Sequence, residues 1–381
     1  MIRIKSDKII VGESIFDGYV YLDGDKIADV TAENREADEC YDYTGSYVSP
    51  GFIDTHTHGG SGSSFYNSSA DDVITACNFH LKHGMTTVFP TVVACAYSEI
   101  VSSMEFISKA IESGKIKPNV PGAHIEGPYL SASQCGAQVP RFITPPIPLE
   151  YKALVERFGS YIRRWTYAPE NDEGGRFCRY ITENGIVASA GHTDAKYPDM
   201  CKAIESGCNL VTHLYSCTST VTRDHGFRSL GVIESTFLRD ELWAEIIADG
   251  KHLPPELIKM IVKIKGSDRV ILTTDSLEVA GTDAKSGRFS DTEYIIEDGV
   301  AKLPNRSAFA GSIATADVLV RTLTKQCGFG VAESVKMLTK NPAALFKLTK
   351  GELKAGLDAD IVVFDDDINV SDVFVMGKKT V

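Results

Sequence analysis

The segment Asp54-Thr-His56-Thr-His58-Gly-Gly follows an apolar run and places two histidines two residues apart. Side chains alternate along a strand, so His56 and His58 point to one side, and two adjacent imidazoles are a natural cation site. The same period of two recurs in His124-Ile-Glu126-Gly-Pro-Tyr129, which makes Glu126 a candidate metal ligand. Gly191-His192-Thr193 and Thr212-His213-Leu214 each add a histidine, and Thr273-Thr274-Asp275-Ser276 adds a carboxylate. Each has a plainer reading alone: a strand-end Glu is often solvated or paired, an isolated His satisfies a core hydrogen bond, and an Asp caps a helix. Together they describe a metal held by His56, His58, Glu126, His192 and His213, with Asp275 beside it as general acid and base.

A donor set of histidines and carboxylates without thiolates belongs to a catalytic rather than a closed structural metal. A divalent ion so held lowers the pKa of water from about 15.7 to about 7, giving a nucleophile at neutral pH. Amide hydrolysis needs that nucleophile and a proton for the departing amine, and Asp275 can move the proton. Zinc stands first among the metals, with iron, manganese and cobalt compatible with the same ligands and one or two ions equally allowed.

Such residues converge only if strand ends share one mouth. From Gly51 onward, short apolar runs rich in β-branched residues alternate with helix-length segments, at 52–57, 86–93, 120–126, 164–168, 186–190, 210–213, 244–248 and 270–274. Helical patterns at 70–83, 195–206 and 254–265 fill gaps between them, with Gly84, Gly114 and Gly207 as stop signals and Pro254-Pro255 as a start. The fold class expected is α/β, a (β/α)8 TIM-type barrel over 50–346. A doubly wound open sheet is the structural alternative, but it spreads chemistry along an edge. Residues 1–49 and 347–381 read as strands and tight turns, which predicts one small discontinuous β-sandwich domain built from both termini.

Composition narrows the function further. The chain has 381 residues, 43% hydrophobic and 24% charged, as in an ordinary globular protein. A net charge of −12 argues against nucleic acid or an anionic membrane as partner. No apolar stretch is long enough to span a bilayer. Nine cysteines without CxxC spacing point to reduced thiols and a cytoplasmic location.

Read in order, Pro50-Gly-Phe-Ile-Asp-Thr-His-Thr-His-Gly, His124-Ile-Glu-Gly-Pro, Gly191-His-Thr, Thr212-His-Leu-Tyr, Ala248-Asp-Gly-Lys-His252 and Thr274-Asp275 resemble N-acetylglucosamine-6-phosphate deacetylases of the amidohydrolase superfamily. The resemblance covers nearly the whole chain. It implies removal of acetate from an N-acetyl amino sugar phosphate. Glu126, His192 and His213 would bind the principal metal, His56 and His58 could hold a second, and Asp275 would be the acid/base. It further implies that His252 contacts the sugar, that Arg223 meets the phosphate, and that the enzyme is a homodimer whose partner subunit helps bind that phosphate.

Departures bear on the substrate. Where the family continues Phe/Tyr-Asn-Ala-Met after His-Leu, this chain has Tyr215-Ser216-Cys217-Thr218, replacing an amide with a hydroxyl. Where the family has Gly-Ala-His, this chain has Gly136-Ala137-Gln138, so an imidazole near the substrate is gone. Ala137, Gln138, Ser216 and Cys217 are therefore candidate substrate-binding positions together with Arg223 and His252. The same metal site would also serve N-acetylgalactosamine-6-phosphate, an unphosphorylated N-acetyl sugar or an N-acyl-D-amino acid. A metal-binding protein without catalysis is the reading from another class.

Overall fold

The apolar runs form eight parallel strands, each hydrogen-bonded to the next around one sheet. They are β1 (Phe52–Thr57), β2 (Met85–Val92), β3 (Ala123–Glu126), β4 (Ile162–Tyr167), β5 (Val187–Ala190), β6 (Leu210–Val211), β7 (Trp243–Ile247) and β8 (Val270–Thr273). The computed structural model describes residues 1–381, the side chain of Asp224 excepted. All eight expected strands are present, and the architecture is a (β/α)8 barrel rather than an open sheet. Helices lie where the 3.6-residue pattern places them, at Ala70–Leu81 (α1), Tyr197–Glu205 (α2) and Pro255–Lys265 (α3). Ser69 caps α1 through a capping box with Asp72, whose carboxylate accepts from the Ser69 backbone.

No backbone ladder joins β8 to β1; side chains and a few single backbone hydrogen bonds close the seam. The fully buried Asp54 accepts from Thr273 Oγ1 at 2.7 Å and from Thr274 Oγ1, while Asp275 N donates to His56 O at 2.9 Å. Burial lifts the Asp54 carboxyl to about 6 even though these hydroxyls favour its ionised form. The sequence repeat of two stacks the interior in layers. Phe89, Leu210 and Ile271 form an apolar floor with Leu345 and Phe346 of helix Lys340–Phe346. One step toward the mouth, the buried Thr91, Arg164, Ser189, Thr212, Glu245 and Thr273 make a polar layer. The next step reaches the histidines and carboxylates singled out above.

Strands from both termini join one eight-stranded sheet. At its centre Tyr47–Pro50 pairs antiparallel with Ile361–Phe364, from Pro50 opposite Ile361 to Tyr47 opposite Phe364. Ile2–Val11 divides the sheet, pairing first with Glu39–Asp42 and then with Tyr47–Pro50. Ile4, Val20, Leu22, Val48, Ile361 and Phe374 fill its separate core. Among the elements beyond the expected set, two bear on the site. A four-stranded antiparallel sheet (Ser286–Phe289, Thr292–Glu297, Val300–Lys302, Phe309–Gly311) follows β8, and an exposed hairpin (Thr222–Asp224, Phe227–Ser229) follows β6. No helix among the described residues is long and apolar enough to cross a membrane.

His80 ties α1 to the first metal-site turn, its Nε2–H donating to Gly59 O at 2.8 Å. Burial lowers its pKa from 6.5 to about 4, and the Gly59 bond offsets this only in part. The unfolded chain therefore binds the extra proton between these values, so the stability contributed by neutral His80 is complete above about pH 6.5 and declines toward about pH 4. Urea unfolding at pH 7.5 and pH 5 should show a larger loss for wild type than for His80→Gln. Equal losses would assign the acid sensitivity to other groups.

Candidate metal centre

Each site residue reaches the mouth by a short local device. His56 lies within β1 and His58 follows its end, two residues on, so the pleat sends both inward, their Nε2 atoms 3.3 Å apart. Glu126 is the last residue of β3. His192, His213 and Asp275 follow β5, β6 and β8, and all three adopt left-handed backbone, with φ of 46°, 28° and 49°. Non-glycine residues rarely hold such angles, and strain of this kind concentrates at functional sites. Here it turns three strand ends inward over the barrel axis.

Glu126 is the hub. Its Oε1 lies 3.1 Å from His213 Nε2, 3.2 Å from His192 Nε2 and 3.5 Å from His56 Nε2, and its Oε2 lies 3.4 Å from His58 Nε2. Asp275 Oδ1 stands 3.1 Å from His58 Nε2 and 3.5 Å from His56 Nε2. Two triads result, His56–His58–Glu126 and Glu126–His192–His213, with all ligand atoms of each within 4.8 Å. Three of the four far nitrogens are occupied, while the buried Nδ1 of His58 has no hydrogen-bond partner among the described residues. His192 Nδ1 meets Gln134 O at 2.9 Å, His213 Nδ1 meets Ser216 O at 3.1 Å, and His56 Nδ1 meets Glu245 Oε1 at 3.1 Å. Because these partners only accept, Nδ1 carries a hydrogen, and each Nε2 that gives up its proton presents a lone pair to the centre, the tautomer a metal requires. Buried nitrogen and carboxylate donors facing one another fit one or two divalent cations sharing Glu126.

The charges are mutually dependent. Burial alone would raise Glu126, yet the charge on His56 and hydrogen bonds from His192 and His213 hold its carboxyl well below the usual range. Asp275 follows the same pattern, with His56 and His58 outweighing burial. Conversely, burial disfavours a charged His56, but Glu126 and Asp275 lift it to about 10.

A cavity of about 310 Å³ opens above the cluster. It is lined by His58, Glu126, His192, His213 and Asp275, and by the expected Ala137, Gln138, Ser216, Cys217 and His252. Gln138 is engaged: its amide donates to Glu126 Oε2 at 2.7 Å, and its oxygen accepts from Ala94 N at 3.0 Å. His252 Nδ1 is held by Asp249 Oδ2 at 2.8 Å, which aims its other nitrogen at ligand space. Arg223 lies outside the cavity lining, on the exposed hairpin. Phe289 and Phe309 come from the four-stranded sheet, with ring centroids 4.9 Å from His58 and 4.8 Å from His252.

The Amidohydrolase family model matches residues 47–380. This chain belongs to the amidohydrolase family. Among its amidohydrolase relatives, N-acetylglucosamine-6-phosphate deacetylase of Lysinibacillus sphaericus is 29% identical over 361 residues, 94% of this chain and 92% of that one. N-acetylgalactosamine-6-phosphate deacetylase of a Shewanella strain is 28% identical over 340 residues, 89% and 84% of the two chains. The crystal structure of N-acetyl-D-glucosamine-6-phosphate deacetylase from Mycobacterium smegmatis superposes with a TM-score of 0.93 over 100% of both chains, at 28% identity. The family match agrees with the resemblance drawn from the motifs.

Sequence reasoning missed the layer beneath this amidohydrolase centre, Arg164 and Glu245. Its available signal was a charge inside each of two otherwise inward-packed strands, Arg-Arg-Trp-Thr-Tyr and Trp-Ala-Glu-Ile-Ile. The apolar contribution of Phe289 and Phe309 gave no comparable signal.

Because both triads use Glu126, Glu126→Gln should reduce bound divalent metal, measured by elemental analysis, to background. Retention of one ion per chain would show independent halves. Because the His56 proton must leave before its nitrogen can bind a cation, metal affinity should rise with pH below about 10. Calorimetry in buffers of different ionisation enthalpy should register proton release, and identical heats would contradict it.

Proposed function

We propose that this amidohydrolase removes acetate from an N-acetyl amino sugar phosphate, N-acetylglucosamine-6-phosphate first among them, leaving the free amine. The observation that carries the reading is Asp275, whose carboxylate borders both the paired triads and the cavity. A divalent ion held by the triads, zinc first, would polarise the acetyl carbonyl and lower the pKa of water. Asp275 accepts the proton as water oxygen adds to the carbonyl carbon, then returns it to nitrogen as the C–N bond breaks. Acetate and a protonatable amine leave. His252, oriented by Asp249, meets a sugar hydroxyl, while Phe309 offers an apolar face to the ring.

Gln138 supports this reading as a brace for Glu126 rather than a direct sugar contact. Arg223 supports a phosphate role only with help from a second subunit, because it stands on an exposed hairpin whose Phe227 is 80% exposed. We therefore include a homodimer in the proposal, and a cytoplasmic site consistent with nine free cysteines. The galacto epimer is the second reading, supported by the nearly equal identity to the Shewanella deacetylase.

Acetate release should be measured on N-acetylglucosamine-6-phosphate, its galactosamine epimer and both unphosphorylated sugars with metal-loaded protein. One phosphorylated sugar should turn over fastest, and Asp275→Asn should lower kcat by about 10²–10⁴-fold while metal content holds. No release from any of the four would remove the sugar substrate. Near-normal activity of Asp275→Asn would remove the proton route.

A further inference from the structure

Arg164 and Glu245 are each 0% exposed and form a two-pronged ion pair in the barrel's polar layer. We infer that this pair is a positioning device for the metal centre, clamping one ligand from each triad in place. The inference rests on the metal-centre reading above and adds residues outside both triads.

The contacts are specific to the ligand-bearing segments. Glu245 Oε1 lies 3.1 Å from His56 Nδ1 and also accepts the backbone N–H of His213 at 3.1 Å. Arg164 reaches the residues immediately before those two histidines, donating to Thr55 Oγ1 at 3.2 Å and to Thr212 Oγ1 at 2.9 Å. Thr212 Oγ1 continues to Thr166 Oγ1 at 2.9 Å, and Thr166 meets His124 Nε2 at 2.7 Å, which immobilises the imidazole stacked edge-on under His56. The other two anchored ligand contacts end on backbone carbonyls, which are fixed by the fold. His56 is the one whose Nδ1 is held by a charged side chain, so its ring orientation depends on residue identity.

Stability gives no reason for the pair. Two apolar residues of similar volume usually stabilise an interior as well as a buried ion pair, whereas an oriented carboxylate behind a ligating imidazole raises its basicity and fixes its tautomer. The floor one layer below shows that this barrel does fill interior positions with Phe89, Leu210 and Ile271. The charges appear where the ligands begin.

The test uses the full-length protein and cobalt(II) as probe. Glu245→Gln, and the double variant Arg164→Met/Glu245→Leu, should fold by circular dichroism yet bind cobalt about 10–100-fold more weakly, with a changed visible absorption spectrum. The double variant matters because it leaves no lone buried charge, so it decides the question if Glu245→Gln misfolds. Wild-type affinity and spectrum in the folded double variant would overturn the inference. Its failure to fold would also overturn it, making the pair part of the fold's own support. Absence of cobalt binding by wild type would instead defeat the metal-centre reading.

Discussion

Charge balance in a water-poor barrel mouth governs this molecule. Glu126 and Asp275 are buried, and burial alone would keep both protonated. Glu126 is held ionised by His56, His192 and His213 and Asp275 by His56 and His58, and His56 in turn is favoured as a cation by both carboxylates. One layer down the condition repeats with Arg164 against Glu245. Neither layer is self-sufficient, since Glu245 Oε1 serves the guanidinium, the His56 ring and the His213 backbone together. A divalent cation held here would replace protons as the neutralising charge, so binding and protonation would compete for the same nitrogens.

The barrel separates tasks by depth. Its apolar floor and the helix interface supply burial, the polar layer supplies orientation, and the strand ends supply donors. Left-handed backbone at His192, His213 and Asp275 places strain at the turns, where strand geometry no longer constrains the chain. The seam between β8 and β1 obeys the same economy of position. Asp54 binds Thr273 and Thr274 across it, so the closing of the barrel also sets Asp275 against His56.

Much of this was legible in the sequence because alternation and strand order leave direct traces. The eight strands, with His56, His58 and Glu126 at their ends, were legible from apolar runs and a period of two, and His192, His213 and Asp275 from their places at the ends of later strands. Cavity positions Ser216, Cys217 and His252 followed only from the resemblance to the deacetylase motifs and the departures from them. What escaped depended on contacts distant in sequence. Glu245 and Arg164 lie 81 residues apart, and nothing local signals their pairing. Gln138 lines the cavity as expected, but its amide bond to Glu126 was not foreseen, since it is set by loop path rather than by residue type. The four-stranded sheet after β8 was missed because its strands are short and half exposed, with a weak alternation.

That sheet lends the cavity Phe289, Ala308, Phe309, Ala310 and Gly311, whereas the barrel turns lend it every ionisable group. Shape and reactivity are thus encoded in different stretches of chain. Substitutions at Ala308, Phe309 or Ala310 can enlarge or narrow the chamber from a stretch of chain that supplies no metal donor, which makes this insert a module through which a lineage could exchange one acylated amine for another while inheriting the catalytic apparatus intact.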